Sequence, residues 1–272
     1  MLEFESALRL ASFVLIFLLM LALQTWRPRR VLMQGFKRWP ANLGVVILDS
    51  MAVRLLYWLL QHLAIPAGAI AVALWSEAHD VGLLNLVELP DIVRILLAML
   101  LLDGAIYLQH VVFHAVPVLW RLHRVHHSDV DFDVTTALRF HPLEIVLSML
   151  IKMSVVLALG APALAVLLFE VVLNGMAMFN HANFRLPLRL DGLVRKLLVT
   201  PDVHRIHHST RNHELNSNYG FNLILWDRFF GTYRAHPEQE HAIMHIGLEG
   251  WQQAPTYRLG WMLRMPWLNK ED

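Results

Sequence analysis

Ten of the sixteen histidines in this sequence fall between residues 110 and 208: His110, His114, His123, His126, His127, His141, His181, His204, His207 and His208. Eight of them form three tight clusters: HVVFH (His110, His114), HRVHH (His123, His126, His127) and HRIHH (His204, His207, His208). A helix turns about 100° per residue, so positions i, i+3 and i+4 share a face, and each cluster is expected to aim its imidazoles one way. Neutral imidazole ligates iron, zinc, copper and nickel. The clustered rings, with His141 and His181 as single additions, suffice for a two-metal centre that leaves room for oxygen. The chemistry implied is oxidation at a membrane surface, with two iron ions and O2 as co-substrate. Imidazole suits zinc as well, so the ligand set leaves the metal open, and recombinant protein would accept zinc in place of iron. A lone histidine or a lone HxxxH would carry none of this weight; the repetition carries it. His141 also stands where it would cap a helix beginning at Pro142, and His181 where it would sit at an interface.

Carboxylates are expected behind the rings, because a ligating histidine usually donates its second N–H to a carboxylate or carbonyl. Asp103, Tyr107, His110 and His114 follow at spacings of 4, 3 and 4. They make one polar stripe on an otherwise apolar helix, and its two ends differ by only about 20°. Glu170, Asn174 and His181 repeat the pattern. Asp103, Glu170 and Asn174 are therefore read as groups beneath the metals. Asp129, Asp131, Asp133 and Asp202, beside the clusters, are further candidates to orient the rings.

The elements that must position these residues are membrane helices. Of 272 residues, 56% are hydrophobic and 17% charged, against about 45–50% apolar in an average soluble protein. A net charge of +1 gives no electrostatic case for nucleic acid. Cysteine is absent, which excludes disulfides and thiolate-held clusters. Electrons for an oxidation would come from an external donor, ferredoxin-like or cytochrome b5-like.

Residues 8–23 read as an uncleaved first span, followed by a basic flank (Arg27, Arg29, Arg30, Lys37, Arg38) that belongs in the cytoplasm. Residues 42–63 read as a second span, with Asp49 and Arg54 turned toward the bundle interior. Residues 67–89 carry Glu77, Asp80 and Glu88 without Lys or Arg, as a non-cytoplasmic segment with a short re-entrant or interfacial helix should. A long helix over 91–114 returns the first cluster to the cytoplasm. Apolar runs at 143–159 and 161–179, joined by Gly160, predict a hairpin that crosses and comes back. All histidine-bearing segments then lie on one side. The tryptophans of the tail suit either a membrane-interface helix or a packed flap. The expected fold is all-α, a polytopic membrane bundle of about four to five spans with a cytoplasmic histidine-rich cap. Its parts are N-terminal spans (1–89), a di-metal catalytic domain (90–235) and a C-terminal interfacial tail (236–272).

The strings HVVFH, LHRVHHSD, TTALRFHPLE, NHAN, TPDVHRIHHS and NSNYGFNLILWDRFFGTY resemble the fatty acid hydroxylase/sterol desaturase superfamily of membrane di-iron enzymes, over roughly residues 103–233. The resemblance implies two irons in a cytoplasmic cap and oxygen-dependent attack on a lipid C–H bond, giving hydroxylation or desaturation. Box matching places all ten histidines in ligand roles. It also marks a departure, since the HxxxH partner of His181 found in relatives is Ala177 here. The NYG…WDRFFGT string is similar to the ether-lipid (alkylglycerol) monooxygenase branch, and ornithine-lipid hydroxylases belong to the same superfamily. It implies a bacterial inner-membrane protein acting on a membrane lipid. The competing readings are a membrane metal transporter, which would place its ligands nearer the bilayer midplane, and a scaffold, which gives no reason for the clusters.

Overall fold

The computed structural model describes residues 5–269. Among the described residues, five helices are long and apolar enough to cross a membrane: α1 (Glu5–Trp26), α2 (Trp39–His62, entered through a 3-10 turn at Gly35–Arg38), α4 (Asp91–Ala115), α6 (Pro142–Leu159) and α7 (Ala163–His181). At 1.5 Å per residue each spans about 27 Å or more. Their outward faces are apolar and exposed, as at Leu15, Ile47, Leu55 and Leu96, and these are the faces that meet lipid. Arg54 also lies on the exposed face of α2, whereas Asp49 is half-buried; a helix five residues on has turned to a different face, so the two do not share the interior. Between α2 and α4 the chain forms α3 (Ala69–Ala78), only ten residues long and too short to cross. It buries Ala69, Ile70, Val72 and Ala73 in one apolar core with Leu102, Val156, Val166 and Phe169.

The hairpin of α6 and α7 turns at Gly160, whose φ of +65° favours glycine. A Cβ on Gly82 would lie 2.2 Å from the Gly160 nitrogen, so the α3–α4 connection crosses this turn backbone to backbone. The opposite ends of all five spans gather on one side. There Arg29 N donates to Asn183 O (3.0 Å) and Arg185 N to Arg27 O (2.9 Å), tying the exit of α1 to the exit of α7.

On that side lie α5 (Pro117–His127), α8 (Leu188–Val194), α9 (Pro201–His207), α10 (Asn212–Leu215), α11 (Leu225–Phe229) and α12 (Leu259–Arg264). Proline opens α5 and α9, where its missing N–H costs nothing. The C-terminal segment is a packed flap. Trp251, Met262 and Met265 are buried against Val125 of α5 and Ala41 and Val45 of α2, and Gly247 N donates to His208 O (3.0 Å).

One buried ion cluster locks the cap to the spans. The Arg38 guanidinium, fully enclosed, pairs with Asp129, Asp131 and Asp133, and Asp131 also accepts from the backbone N–H groups of Met33, Gln34 and Gly35. The alternating aspartates after the second cluster thus hold an arginine and the α1–α2 loop, not histidine rings.

Candidate metal centre

Nine of the ten histidines come together, in two groups. His110, His114, His123, His127 and His207 form one; His126, His181, His204 and His208 form the other. Helix α4 supplies His110 and His114 from its last turns, α5 its three, α7 its final residue His181, and α9 its three with His208 just past its end. The HxxHH clusters do not aim one way. In each, the i and i+4 rings share a group and the i+3 ring goes to the other: His123 and His127 against His126, His204 and His208 against His207. The reason is helical geometry, since i+3 and i+4 lie about 100° apart on either side of i.

The rings fit metal ions on two counts. First, Nε2 atoms face Nε2 atoms at 3.0–3.2 Å within the groups, close to the edge of a coordination shell with metal–nitrogen distances of about 2.1 Å. Second, the hydrogens are committed elsewhere. Nδ1 of His110 donates to the Tyr219 carbonyl (2.7 Å), Nδ1 of His207 to the Ser217 carbonyl (2.8 Å) and Nδ1 of His181 to the Ala177 carbonyl (2.7 Å). A carbonyl only accepts, so in the neutral ring each Nε2 is left with a lone pair. His110 and His207 then present lone pair to lone pair at 3.0 Å. That contact repels unless a cation is shared between them. His208, fully buried, has no hydrogen-bond partner for either nitrogen, a costly state for a ring without a ligand. Burial pulls His123 down to about 3, and burial together with facing imidazoles holds His126, His127, His204, His207 and His208 well below the usual range. These rings are neutral at physiological pH, the form that ligates.

His141 joins neither group. Its Nδ1 accepts from Leu143 N (3.2 Å), capping α6, and its Nε2 faces the Leu263 carbonyl (3.2 Å). The preceding turn places it at the helix start, where capping uses the ring. None of the groups expected behind the rings bonds one of them. Asp103 accepts from Trp226 Nε1 (2.9 Å), Asp129 pairs with Arg38, and Glu170 pairs with Lys152 and Arg9. Asp202 pairs with Arg29 and Arg205, and Asn174 lines a cavity.

The carboxylate that does orient a ring is Glu144, which meets Nδ1 of His123 at 2.6 Å in a fully buried contact. Its sequence signal was a lone acid in the first turn of an apolar helix, three residues past His141. Replacing it by leucine strands that N–H, and metal affinity is expected to fall about 10–100-fold, with Glu144→Gln in between. A chelator-competition titration of the purified protein reads this directly.

The NSNYG and WDRFFGT strings build the loop that offers the carbonyls. Asp227 accepts from Tyr219 N (2.8 Å), Gly220 N (2.9 Å) and Thr232 Oγ1 (2.7 Å). Asn218, at φ +53°, donates to the Val203 and Arg234 carbonyls. Ser217 and Tyr219 are thereby held with their carbonyls against His207 and His110.

Two openings reach the centre. A cavity of about 290 Å³ runs among α2, α4, α6 and α7, with His110 and His123 in its wall and a mainly apolar lining that includes Phe113, Phe140 and Phe221. On the other side a cleft of about 390 Å³ exposes His114 beside Trp120, Arg124 and Asn216.

A helical membrane bundle whose capped ends hold two interleaved histidine groups belongs to the class of membrane proteins built to accept metal ions. The chain belongs to the fatty acid hydroxylase family, whose model matches residues 95–232. It is 29% identical over 161 residues to an ornithine lipid hydroxylase of Rhizobium tropici, covering 59% of this chain and 47% of that protein. It is 33% identical over 143 residues to human alkylglycerol monooxygenase (52% and 31% covered). To human cholesterol 25-hydroxylase it is 28% identical over 153 residues (54% and 55% covered). The chain thus spans about half or less of the length of these relatives. No solved structure gives a significant match.

Proposed function

We propose that this chain is an oxygen-dependent di-iron membrane oxidase that hydroxylates a lipid C–H bond. The observation that carries this reading is the position of the five-ring group, whose His110 and His123 stand in the wall of a mainly apolar cavity lying among membrane spans. Two irons held by the five-ring and four-ring groups would supply oxygen activation, with electrons from an external redox partner. Overall, a C–H bond, O2, two electrons and two protons give C–OH and water. The protein's own part is positioning and exclusion of water. Phe113, Phe140 and Phe221 wall the cavity beside His110 and His123, so a lipid entering from the bilayer meets the centre in an apolar sleeve. The cleft at His114 serves polar reactants from the opposite side. The basic flank Arg27, Arg29, Arg30, Lys37 and Arg38 lies on the same side as the rings, which supports a cytoplasmic face. An ether lipid or an amino-acid-headed lipid is the substrate favoured by the similarity to alkylglycerol monooxygenase and ornithine lipid hydroxylase.

Lipid extracts of cells with and without the gene, grown under 18O2, test the proposal. A lipid gaining one labelled oxygen is expected. A lipid losing two hydrogens would make the protein a desaturase, and an unchanged lipidome with no iron in the purified protein would return it to the transporter and scaffold readings.

A further inference from the structure

The cavity that leads away from the rings is not uniformly apolar. Besides Glu144 beside the rings and Lys152 at the far end, four polar side chains line it from four different helices: Asp49 from α2, Gln109 from α4, Ser148 from α6 and Asn174 from α7. Helical register puts Asp49, Ser148 and Asn174 at one depth. Asn42, bonded to Arg139 and Thr135 at the level of the cap, is seven residues before Asp49. His141 is seven residues before Ser148, and Asn174 is seven residues before His181. Seven residues are two helical turns, about 10 Å along the axis and nearly the same face. Gln109, next to His110 in α4, reaches toward this level with its side chain, whose Nε2 donates to Ser148 Oγ (2.9 Å).

Packing does not account for this ring. Asn174 and Asp49 make no hydrogen bond, and Gln109 Oε1 and Asp49 Oδ1 are buried without a partner. Polar groups at membrane depth are costly unless paired or used. One turn deeper, by contrast, the polar groups satisfy one another: Lys152 and Arg9 both pair with Glu170 (2.9 and 3.0 Å). The deeper set is a closed ionic floor that fastens α1 and α6 to α7. The ring above it has buried spare acceptors at Asp49 and Gln109, and beside them the exposed amide of Asn174 offers a donor to the cavity.

We infer that Asp49, Gln109, Ser148 and Asn174 form a specificity girdle for a lipid that carries a hydroxyl group partway along its chain, about two helical turns from the carbon that meets the histidine groups. A hydroxyl both donates and accepts, as this mixed set requires. An unsubstituted alkyl chain would leave the buried Asp49 Oδ1 and Gln109 Oε1 unpaired, and a site built to hydrogen-bond an OH rejects the analogue lacking it. The inference rests on the cavity being the lipid's route, and it names the kind of lipid.

Binding tests it apart from turnover. The purified full-length protein in detergent is titrated with methyl 10-hydroxystearate and with methyl stearate, following tryptophan fluorescence and the shift in melting temperature. The hydroxy ester is expected to bind about tenfold more tightly, the gain of one or two net hydrogen bonds. The Asp49→Leu/Asn174→Leu variant is expected to bind both esters alike while keeping the wild-type metal content. Equal binding of the two esters by the wild type, or a preference that survives in the variant, would overturn the girdle. A wild-type preference in a protein that oxidises neither ester nor any cellular lipid would support the girdle and count against the hydroxylase reading alone.

Discussion

His126→Ala is expected to leave the purified protein with about one metal ion per chain instead of two, and with no measurable lipid oxidation. The substitution removes one of only four rings from the group formed with His181, His204 and His208. Its Nε2 lies 3.2 Å from that of His181, and its ring stacks on Phe140 at 4.5 Å. Three imidazoles remain, held apart by a void that nothing refills. The other group draws on His110, His114, His123, His127 and His207 and keeps all five. Loss of an outer-sphere partner alone costs about 10–100-fold in metal affinity, and loss of a ligand costs more. Elemental analysis of the purified protein gives the stoichiometry, and mass spectrometry of lipids gives the turnover. His127→Ala, one residue away, strikes the five-ring group instead and leaves four rings there. Neighbouring substitutions should therefore differ in how much metal they release. Two retained metals in His126→Ala, or full turnover, would refute the interleaved assignment.

Arg38→Leu is expected to produce the largest loss of stability of any single change. It deletes the guanidinium that faces Asp129, Asp131 and Asp133, none of which reaches solvent. Removing one partner of a buried ion pair typically costs about 3–5 kcal/mol, because the partner charge stays buried without compensation. Here three carboxylates lose their cation, and what remains are neutral donors: the backbone of Met33, Gln34 and Gly35 for Asp131, Asp131 N and Thr136 Oγ1 for Asp129, and Thr135 and Trp39 Nε1 for Asp133. The expected outcome is a sharply lower melting temperature in detergent and little folded protein. Arg38→Lys restores the charge but not the fork that engages several carboxylates at once, so it should recover only part of the loss. An unchanged melting temperature for Arg38→Leu would mean that these carboxylates are neutral or solvated.

Much of this protein was legible along the chain. Apolar runs of about twenty residues read as spans because a bilayer offers the backbone no other partner, so length and hydropathy suffice. That the histidine-bearing segments meet at one end of the bundle followed from counting crossings. The ring clusters announced themselves because few other uses need three imidazoles in five residues. What the chain order did not reveal was how rings and carboxylates pair, because pairing joins residues far apart. DVDFD beside the second cluster looked like support for the rings and instead enclosed Arg38, 91 residues away from Asp129. Glu144 looked like an ordinary first-turn acid until the fold laid α6 against His123. The carbonyls of Ser217 and Tyr219 leave no sequence signal at all, since every residue has one. His141 shared its residue type with the other nine, but the turn before α6 used the ring as a cap. Residue type and spacing determined that this chain gathers imidazoles at one end of a membrane bundle. Only the tertiary structure divided them five and four, because two adjacent helical positions diverge by about 100° and the direction of each is fixed by what packs behind it.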